Sequence, residues 1–516
     1  MSETLVIGSR GSDLALWQAN HVKMQLQDLG FNSSIKIIKT KGDKIQHLSF
    51  DKLEGKGFFT KEIEDALLDN SIDIAVHSHK DLETNPPKGL VIAAVSPRED
   101  PSELLLINKN AYDPSKFWGL KQNGVIGTSS SRRKSQLLLF REDLNVKDLR
   151  GNVPTRIQKL RDGHYDAIVL AKAGVSRLKL DVSDLNVQTL PRKWFVPAPA
   201  QGVLGLQIRE NDQKTHAILS KINSLATQQE IKLERKILNL FNGGCQLPLG
   251  VYCEQDVLTS KVWVSILKDG SSSPLRLYKE NCSAEEIVEL IQRPITDKKQ
   301  VFISRYLNDQ SLFKKALEGQ NIKVEGKSFI EVVFNNVNEL PAADWVFFTS
   351  SNAVESLSNQ VDQLRGKKIG AFGKATAFGL EKLGLIVDFI GNGLPNQIAI
   401  DFAEVARNEK VLFPISNRSL KTIQQQIPKN NQIELITYTI KDVENQITDF
   451  DIFVFTSPSN VHSFFKTNEL AKNKAVIAIG PSTKAVLESY DVKNVMLPWE
   501  ASELALSDAV FSYLYS

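Results

Sequence analysis

Cysteine is scarce in this chain. Three cysteines in 516 residues are too few for a disulfide scaffold and lack the paired spacing of a metal site, so a reducing setting is expected. Long hydrophobic runs are missing as well: no stretch approaches the roughly 20 apolar residues that cross a bilayer. The opening MSETLVIGSRGSDLALWQ has no basic segment followed by an apolar run, the pattern of a secretory leader. Nor is there an excess of one charge. The 63 Lys and Arg against 60 Asp and Glu leave a formal net charge of +3, which excludes bulk affinity for nucleic acid and requires any anion site to come from local clustering. These absences predict a cytoplasmic protein with no membrane or nucleic-acid partner; a monomer is expected, though nothing in the composition bears on oligomeric state.

What is present is a chain too long for one core, so several domains are expected. Short apolar strands alternate with amphipathic helices, which predicts α/β domains with mainly parallel sheets. In the opening unit, Leu5 to Ile7 reads as a strand and Gly8 to Ser12 as a turn. A helix follows with Ala15, Ala19, Val22, Leu26 and Leu29 on one face and Gly30 as its stop. Similar units recur at 60–76, 125–140 and 153–170, and residues 251–292 read as a smaller α+β piece. The polar, proline-containing stretch QRPITDKK at 292–299 is a candidate linker. The expected division is 1–292, with a third subdomain at 215–292, then a linker at 293–300 and a second half at 301–516.

The second half repeats itself. WVFFTSSNAVESL at 345–357 is similar to IFVFTSPSNVHSFF at 452–465, and a glycine followed three residues later by threonine recurs after each. The pairs Thr349/Thr456, Ser350/Ser457, Gly373/Gly480 and Thr376/Thr483 share one offset, which implies two similar α/β domains. The Thr-Ser turns are expected at helix N-termini, as caps or as carboxylate sites.

Arginines in the first half gather at expected helix starts. GTSSSRRKSQLLLF at 127–140 puts Arg132 and Arg133 in a first turn, where cations oppose the helix dipole unless an anion is bound. LRGNVPTRIQKLRDG at 149–163 adds Arg150, Pro154 near a helix start, and Arg156. Arg10 occupies an equivalent strand-to-helix turn. The segment IDIAVHSHKDLET at 72–84 presents His77, His79, Lys80 and Asp81 at the end of a strand, where functional residues of open α/β sheets collect. A zinc site at the two histidines lacks a third ligand nearby. Asp81 reads as the sole carboxylate among cations, and hence as a proton carrier. GKGFF at 55–59 mimics a phosphate loop, but Gly57 follows Lys56 where Ser or Thr would be needed. In NGGCQLPLG at 242–250, the two glycines ahead of Cys245 leave room for a large group on its sulfur, although a small buried cysteine in a glycine turn would read the same.

Taken in order, SRGSDLALWQ, GKGFFTKEIEDAL, AVHSHKDLET, GTSSSRR, LRGNVPTR, PAPAQG and NGGCQLPLG resemble the hydroxymethylbilane synthase, or porphobilinogen deaminase, family across residues 1–292. The resemblance implies two domains like periplasmic binding proteins and a third carrying the cysteine. It also implies a dipyrromethane cofactor joined by a thioether to Cys245, with no metal. Asp81 matches the family's catalytic aspartate. Arg10, Arg132, Arg133, Arg150, Arg156 and Arg177 match arginines that hold acetate and propionate groups, while Ser12, Lys80, Ser129 and Gln201 fall in matching cleft segments. Pro154 departs from the small residue expected in its loop. The substrate implied is porphobilinogen, four units of which give hydroxymethylbilane and ammonia.

Residues 298–516 resemble the uroporphyrinogen-III synthase family through FISRYLNDQSL at 302–312, FTSSNAV at 348–354, ELITYTI at 434–440 and FTSPSNV at 455–461. That family has two Rossmann-like α/β domains and closes hydroxymethylbilane with inversion of the last ring. The resemblance makes Tyr438 a catalytic candidate, and Thr349, Ser350, Thr456, Ser457 and Thr483 candidates for substrate carboxylates. Two other readings stay open: a non-catalytic anion-binding first half, and a second half that is only a structural partner.

Overall fold

Apolar runs such as Leu5–Ser9, Ile74–Ser78 and Leu204–Arg209 are too short for helices and too uniformly apolar for a one-sided sheet, and each becomes a largely buried strand. The computed structural model describes residues 4–40, 60–241, 247–256, 258–293 and 299–515. Cys245, the GKGFF segment and the centre of the expected linker therefore lie outside the described residues.

Two five-stranded sheets build most of the first half. One runs in the order Ser33–Ile37, Leu5–Ser9, Ile74–Ser78, Leu204–Arg209, Leu90–Val95, and the other Asn145–Lys147, Val125–Gly127, Ala167–Ala171, Glu103–Ile107, Asn186–Leu190. Both are mixed rather than mainly parallel. Leu204–Arg209 is antiparallel to both neighbours, and so is Glu103–Ile107. The cause is the chain path: these are the strands at which the backbone crosses from one sheet to the other, and each enters against the local direction.

The first helix, Asp13–Asp28, is capped by Ser12, whose hydroxyl accepts from the Ala15 amide. It buries Ala19, Val22 and Leu26 as its spacing predicts. Leu29 does not join that face: the helix closes one residue earlier, Leu29 is the exposed cap, and Gly30 turns the chain with φ of 83°.

The smaller α+β piece is a three-stranded antiparallel sheet of Leu249–Gln255, Ser260–Ile266 and Leu275–Glu280 with helices Leu225–Leu240 and Ala284–Gln292. Buried Glu234 ties it in place, accepting from the Arg98 guanidinium and from the amides of Ala200 and Cys253.

Compactness divides the chain into one unit of Met1–Val301, Asn308–Val324 and Met496–Ser516, and another of Phe302–Leu307 and Glu325–Val495. The boundary differs from the sequence motifs because two helices from beyond residue 301, Leu312–Glu318 and Glu503–Leu514, pack within the first unit. The second unit holds a six-stranded sheet in the order Ile330–Phe334, Gln432–Asp442, Val411–Ser416, Trp345–Phe348, Lys368–Ala371, Phe389–Ile390. It also holds a phenylalanine-rich core of Phe302, Phe329, Phe450, Phe453, Phe455 and Phe464. The repeat appears as the same succession twice: Trp345–Phe348, Ser351–Ser356, Lys368–Ala371 and Lys374–Lys382, then Ile452–Phe455, Pro458–Thr467, Ala475–Ala478 and Pro481–Ser489.

Candidate active site

Asp81 ends a 3-10 turn, His79–Asp81, that follows strand Ile74–Ser78. The turn is held from three sides. The His79 amide donates to the Val203 carbonyl at 2.9 Å, Gln18 donates to the Ser78 hydroxyl at 2.8 Å, and Arg235 donates to the carbonyls of Leu82 and Glu83. Asp81 itself is exposed, and its carboxylate makes no hydrogen bond or ion pair among the described residues.

Beside it, Lys80 donates to the Gln201 side chain at 3.2 Å, and burial pushes the Lys80 ammonium below its ordinary pKa. Gln201 is buried and also donates to the Pro101 carbonyl, so it orients Lys80. The PAPAQG motif makes this possible through backbone strain. Ala200 has φ of 60°, and Gly202 has φ of 88° with no room for a Cβ, which would meet the Glu99 carbonyl at 2.4 Å.

Arg132 and Arg133 lie in the first turn of helix Ser131–Phe140, capped by Ser130. Their counter-ion was missed in the sequence. Glu103, fully buried, accepts from Arg132 at 2.6 Å and from Arg133 at 3.0 and 2.8 Å. Asp81 is thus not the sole carboxylate among these cations. The signal existed: Glu103 is the one charged residue heading an apolar strand, ELLLI, and a charge there needs a partner. The two arginines hold the Glu103 carboxyl well below the usual range despite its burial.

Arg156, in helix Val153–Arg161, donates to the Gly151 carbonyl at 2.7 Å and has no carboxylate at ion-pair distance among the described residues. Burial, and then the positive charge of Arg133, push it down to about 10, with Asp81 opposing. Arg150 adds to the same positive field. Ser129 is committed to backbone, donating to the Leu149 carbonyl and accepting from its amide, both at 3.0 Å, which fixes the chain just before Arg150.

Other expected site residues are placed differently. Arg10 follows strand Leu5–Ser9, where its charge acts on buried His77. Ser12 is used as a helix cap. Arg177 is buried, paired with Glu99 at 2.7 Å, bonded to the Gly202 carbonyl and stacked over Trp17, so it holds the PAPAQG turn. His77 and His79 are buried too, and burial lowers both to about 4, so they are neutral near pH 7.

Lys80, Arg132, Arg133, Arg150 and Arg156 therefore stand as five cations with the two carboxylates Glu103 and Asp81. A dipyrromethane bearing several carboxylates fits this donor set, because Arg156 is partly desolvated and, among the described residues, has no carboxylate at ion-pair distance, which such a group would supply.

In the second unit, Ser350 caps helix Ser351–Ser356, and its hydroxyl lies 3.0 Å from the Tyr438 hydroxyl. Ser457 caps the equivalent helix, accepting from Asn460. Thr456 is bonded to Ser304 through both its amide and its hydroxyl. Thr349 is half-buried just after strand Trp345–Phe348. Thr483 is almost fully buried within helix Pro481–Ser489, as Thr376 is in its repeat partner. Both are core residues in this structure, so Thr483 is not an exposed carboxylate donor.

Two mixed sheets joined by two crossings, with arginine-bearing helix starts and one exposed carboxylate, define an α/β protein with a cation-rich candidate site and a candidate acid. Residues 5–217 match the family described as porphobilinogen deaminase, dipyromethane cofactor binding domain, and residues 326–507 match uroporphyrinogen-III synthase HemD. The porphobilinogen deaminase of Maridesulfovibrio salexigens is 43% identical over 277 residues, covering 53% of this chain and 88% of that protein. That of Chloroherpeton thalassium is 39% identical over 301 residues, covering 58% of this chain and 94% of that protein. A solved uroporphyrinogen-III synthetase from Helicobacter pylori 26695 is 16% identical with a TM-score of 0.30, covering 41% of this chain and 98% of that one. The chain belongs to the porphobilinogen deaminase family, and it is a fusion that carries a uroporphyrinogen-III synthase domain after the deaminase. Among the described residues, no helix is long and apolar enough to cross a membrane.

Proposed function

We propose that this chain condenses porphobilinogen into hydroxymethylbilane with release of ammonia, and that its second half closes that product to uroporphyrinogen III. The observation that carries the first reaction is the excess of fixed cations near Asp81, whose exposed carboxylate makes no hydrogen bond or ion pair among the described residues. Each porphobilinogen carries two carboxylates, so a growing chain needs many cations in one place. Arg156 and Arg150 bind carboxylates directly in this reading, with Arg10 on the neighbouring sheet. Arg132 and Arg133, tethered to Glu103, keep further N–H groups and their charge at the helix start. Lys80, oriented by Gln201, sets the field next to Asp81. Asp81 delivers a proton to the departing amine and stabilises positive charge on the pyrrole nitrogen. The dipyrromethane, when bound, supplies the primer for the additions. Cys245 is its proposed attachment point, and Lys80, Ser129, Arg132 and Arg133 are its proposed surroundings.

For the second reaction, the Ser350 and Tyr438 hydroxyls form a donor pair at a helix start, and the repeated capped turns offer backbone N–H groups for substrate carboxylates. This half positions a reactive substrate, and Tyr438 assists loss of the terminal hydroxyl.

The test is to supply porphobilinogen to the purified full chain, follow ammonia release and identify the porphyrinogen isomer. Ammonia with type III product is expected. Ammonia with only the type I isomer removes the synthase reading, and no ammonia removes the deaminase reading. Intact mass should exceed the sequence mass by one dipyrromethane, and the excess should vanish in Cys245→Ser.

A further inference from the structure

The C-terminal helix Glu503–Leu514 lies on strand Leu275–Glu280 of the three-stranded sheet, inside the first compact unit. At that contact, Arg276 and Asp508 form an ion pair in which both side chains are 1% exposed. Arg276 Nε and one terminal nitrogen donate to the two Asp508 oxygens at 2.9 and 3.1 Å, and the Trp499 indole donates to the same carboxylate at 3.0 Å. Trp499 packs edge-on against Trp263 with ring centres 5.8 Å apart. The helix is further tied by Lys279, which donates to the Ser512 carbonyl at 2.7 Å, and by the Ser512 hydroxyl, which donates at 2.5 Å to the carbonyl of Tyr278.

Arg276 does more than pair with Asp508. Its terminal nitrogens donate to the carbonyls of Trp194 and Lys193 at 2.7 and 2.8 Å. Two residues on, the Val196 carbonyl accepts from Arg132 at 2.9 Å and from Gln136 at 2.9 Å, while the Val196 amide donates back to Gln136 at 2.7 Å. Phe195, between them, is fully buried and edge-on to Trp118. The segment Lys193–Val196 is thus pinned by Arg276 on one side and by Arg132 on the other. Arg132 in turn holds Glu103, whose charge acts on Lys80 beside Asp81.

We infer that Asp508, a residue of the C-terminal segment, is a positioning residue for the deaminase site: it orients Arg276, which fixes the Lys193–Val196 backbone and, through the Val196 carbonyl, Arg132. The inference rests on the deaminase reading. Its physical basis is that a guanidinium with no counter-ion in a dry site cannot keep its donors on two carbonyls; it rotates toward water or loosens the backbone around it. The network has fixed hydrogen-bond directions at every link, so a shift at Arg276 is passed on rather than absorbed.

The experiment compares the full chain with Asp508→Asn and with the paired replacement Arg276→Met/Asp508→Leu. The paired variant removes both charges at similar volume and is expected to keep thermal stability close to the parent. The readouts are porphobilinogen KM and kcat, and amide hydrogen exchange across Lys193–Val196 and Ser131–Phe140. In both variants KM should rise roughly 3- to 30-fold with kcat within about twofold, the range for coupling through a packed network. Exchange should quicken in both segments. Unchanged KM and exchange in the paired variant, or in Asp508→Asn should the pair not fold, would overturn the inference, as would a change in thermal stability alone. A parent chain that releases no ammonia refutes the deaminase reading instead, and the exchange measurement still decides whether Asp508 governs the Arg132 helix.

Discussion

Glu103 and Arg133 meet in a two-point ion pair, at 3.0 and 2.8 Å, while the same carboxylate takes a third bond of 2.6 Å from Arg132. Substituting Glu103→Gln leaves two buried guanidiniums on a neutral amide. Removing one partner of a buried pair destabilises by about 3–5 kcal/mol, and the urea midpoint should fall accordingly. The pH dependence has a definite sign. The folded carboxyl is held below its ordinary value of 4.5, so its contribution is present above that pH and is lost as pH falls through the lower folded value. The variant should lose that part of the acid sensitivity.

His77 and His79 titrate in the opposite sense to a paired histidine. Burial lowers both from 6.5 to about 4, so the unfolded chain binds more protons between those limits. Stability is expected to decline as pH falls from about 6.5 to about 4. Urea midpoints at pH 7 and pH 5 should differ less in His79→Leu than in the parent.

Asp81→Asn preserves shape and removes the proton, so turnover should drop by about 10²–10⁴ while the enzyme-bound dipyrromethane remains detectable by mass. Arg156→Leu should act on binding, raising porphobilinogen KM or stalling enzyme-bound oligopyrroles at short lengths. A normal oligopyrrole distribution with normal KM would remove Arg156 from carboxylate binding.

Tyr438→Phe deletes the hydroxyl that lies 3.0 Å from Ser350, leaving the ring in its buried place in the second-unit core. The fraction of type III isomer should fall and that of type I rise, with ammonia release from porphobilinogen unaffected. An unchanged isomer ratio would assign Tyr438 to packing.

Much of this site was legible because its chemistry is carried by local patterns. The serine-rich turn puts Arg132 and Arg133, and Pro154 puts Arg156, at helix starts, and both helices do begin there, capped by Ser130 and by Asn152. The 107-residue offset in the second half likewise marked two equivalent strand-helix successions, because each repeat folds through short-range contacts. What could not be read were pairings between distant segments. Glu103 with Arg133, Glu99 with Arg177 and Glu234 with Arg98 join residues far apart in sequence, and no periodicity encodes them. The same limit explains the sheet directions. Alternating strands and helices predict mainly parallel sheets, and only the crossing from the other sheet makes Leu204–Arg209 antiparallel. It also explains Thr483, a candidate for substrate carboxylates by its repeat position and family resemblance, whose helix turns it into the core.

The buried Arg276 and Asp508 pair bears on how the coding sequence can change. A gene split in the polar stretch near residue 295 would part Arg276 from the helix that carries Asp508, and with it from the Trp499 indole that shares the same carboxylate. A substitution at 276 or 508 alone leaves the other charge buried without its partner, so the two positions are coupled across the polar stretch that separates the two sequence halves.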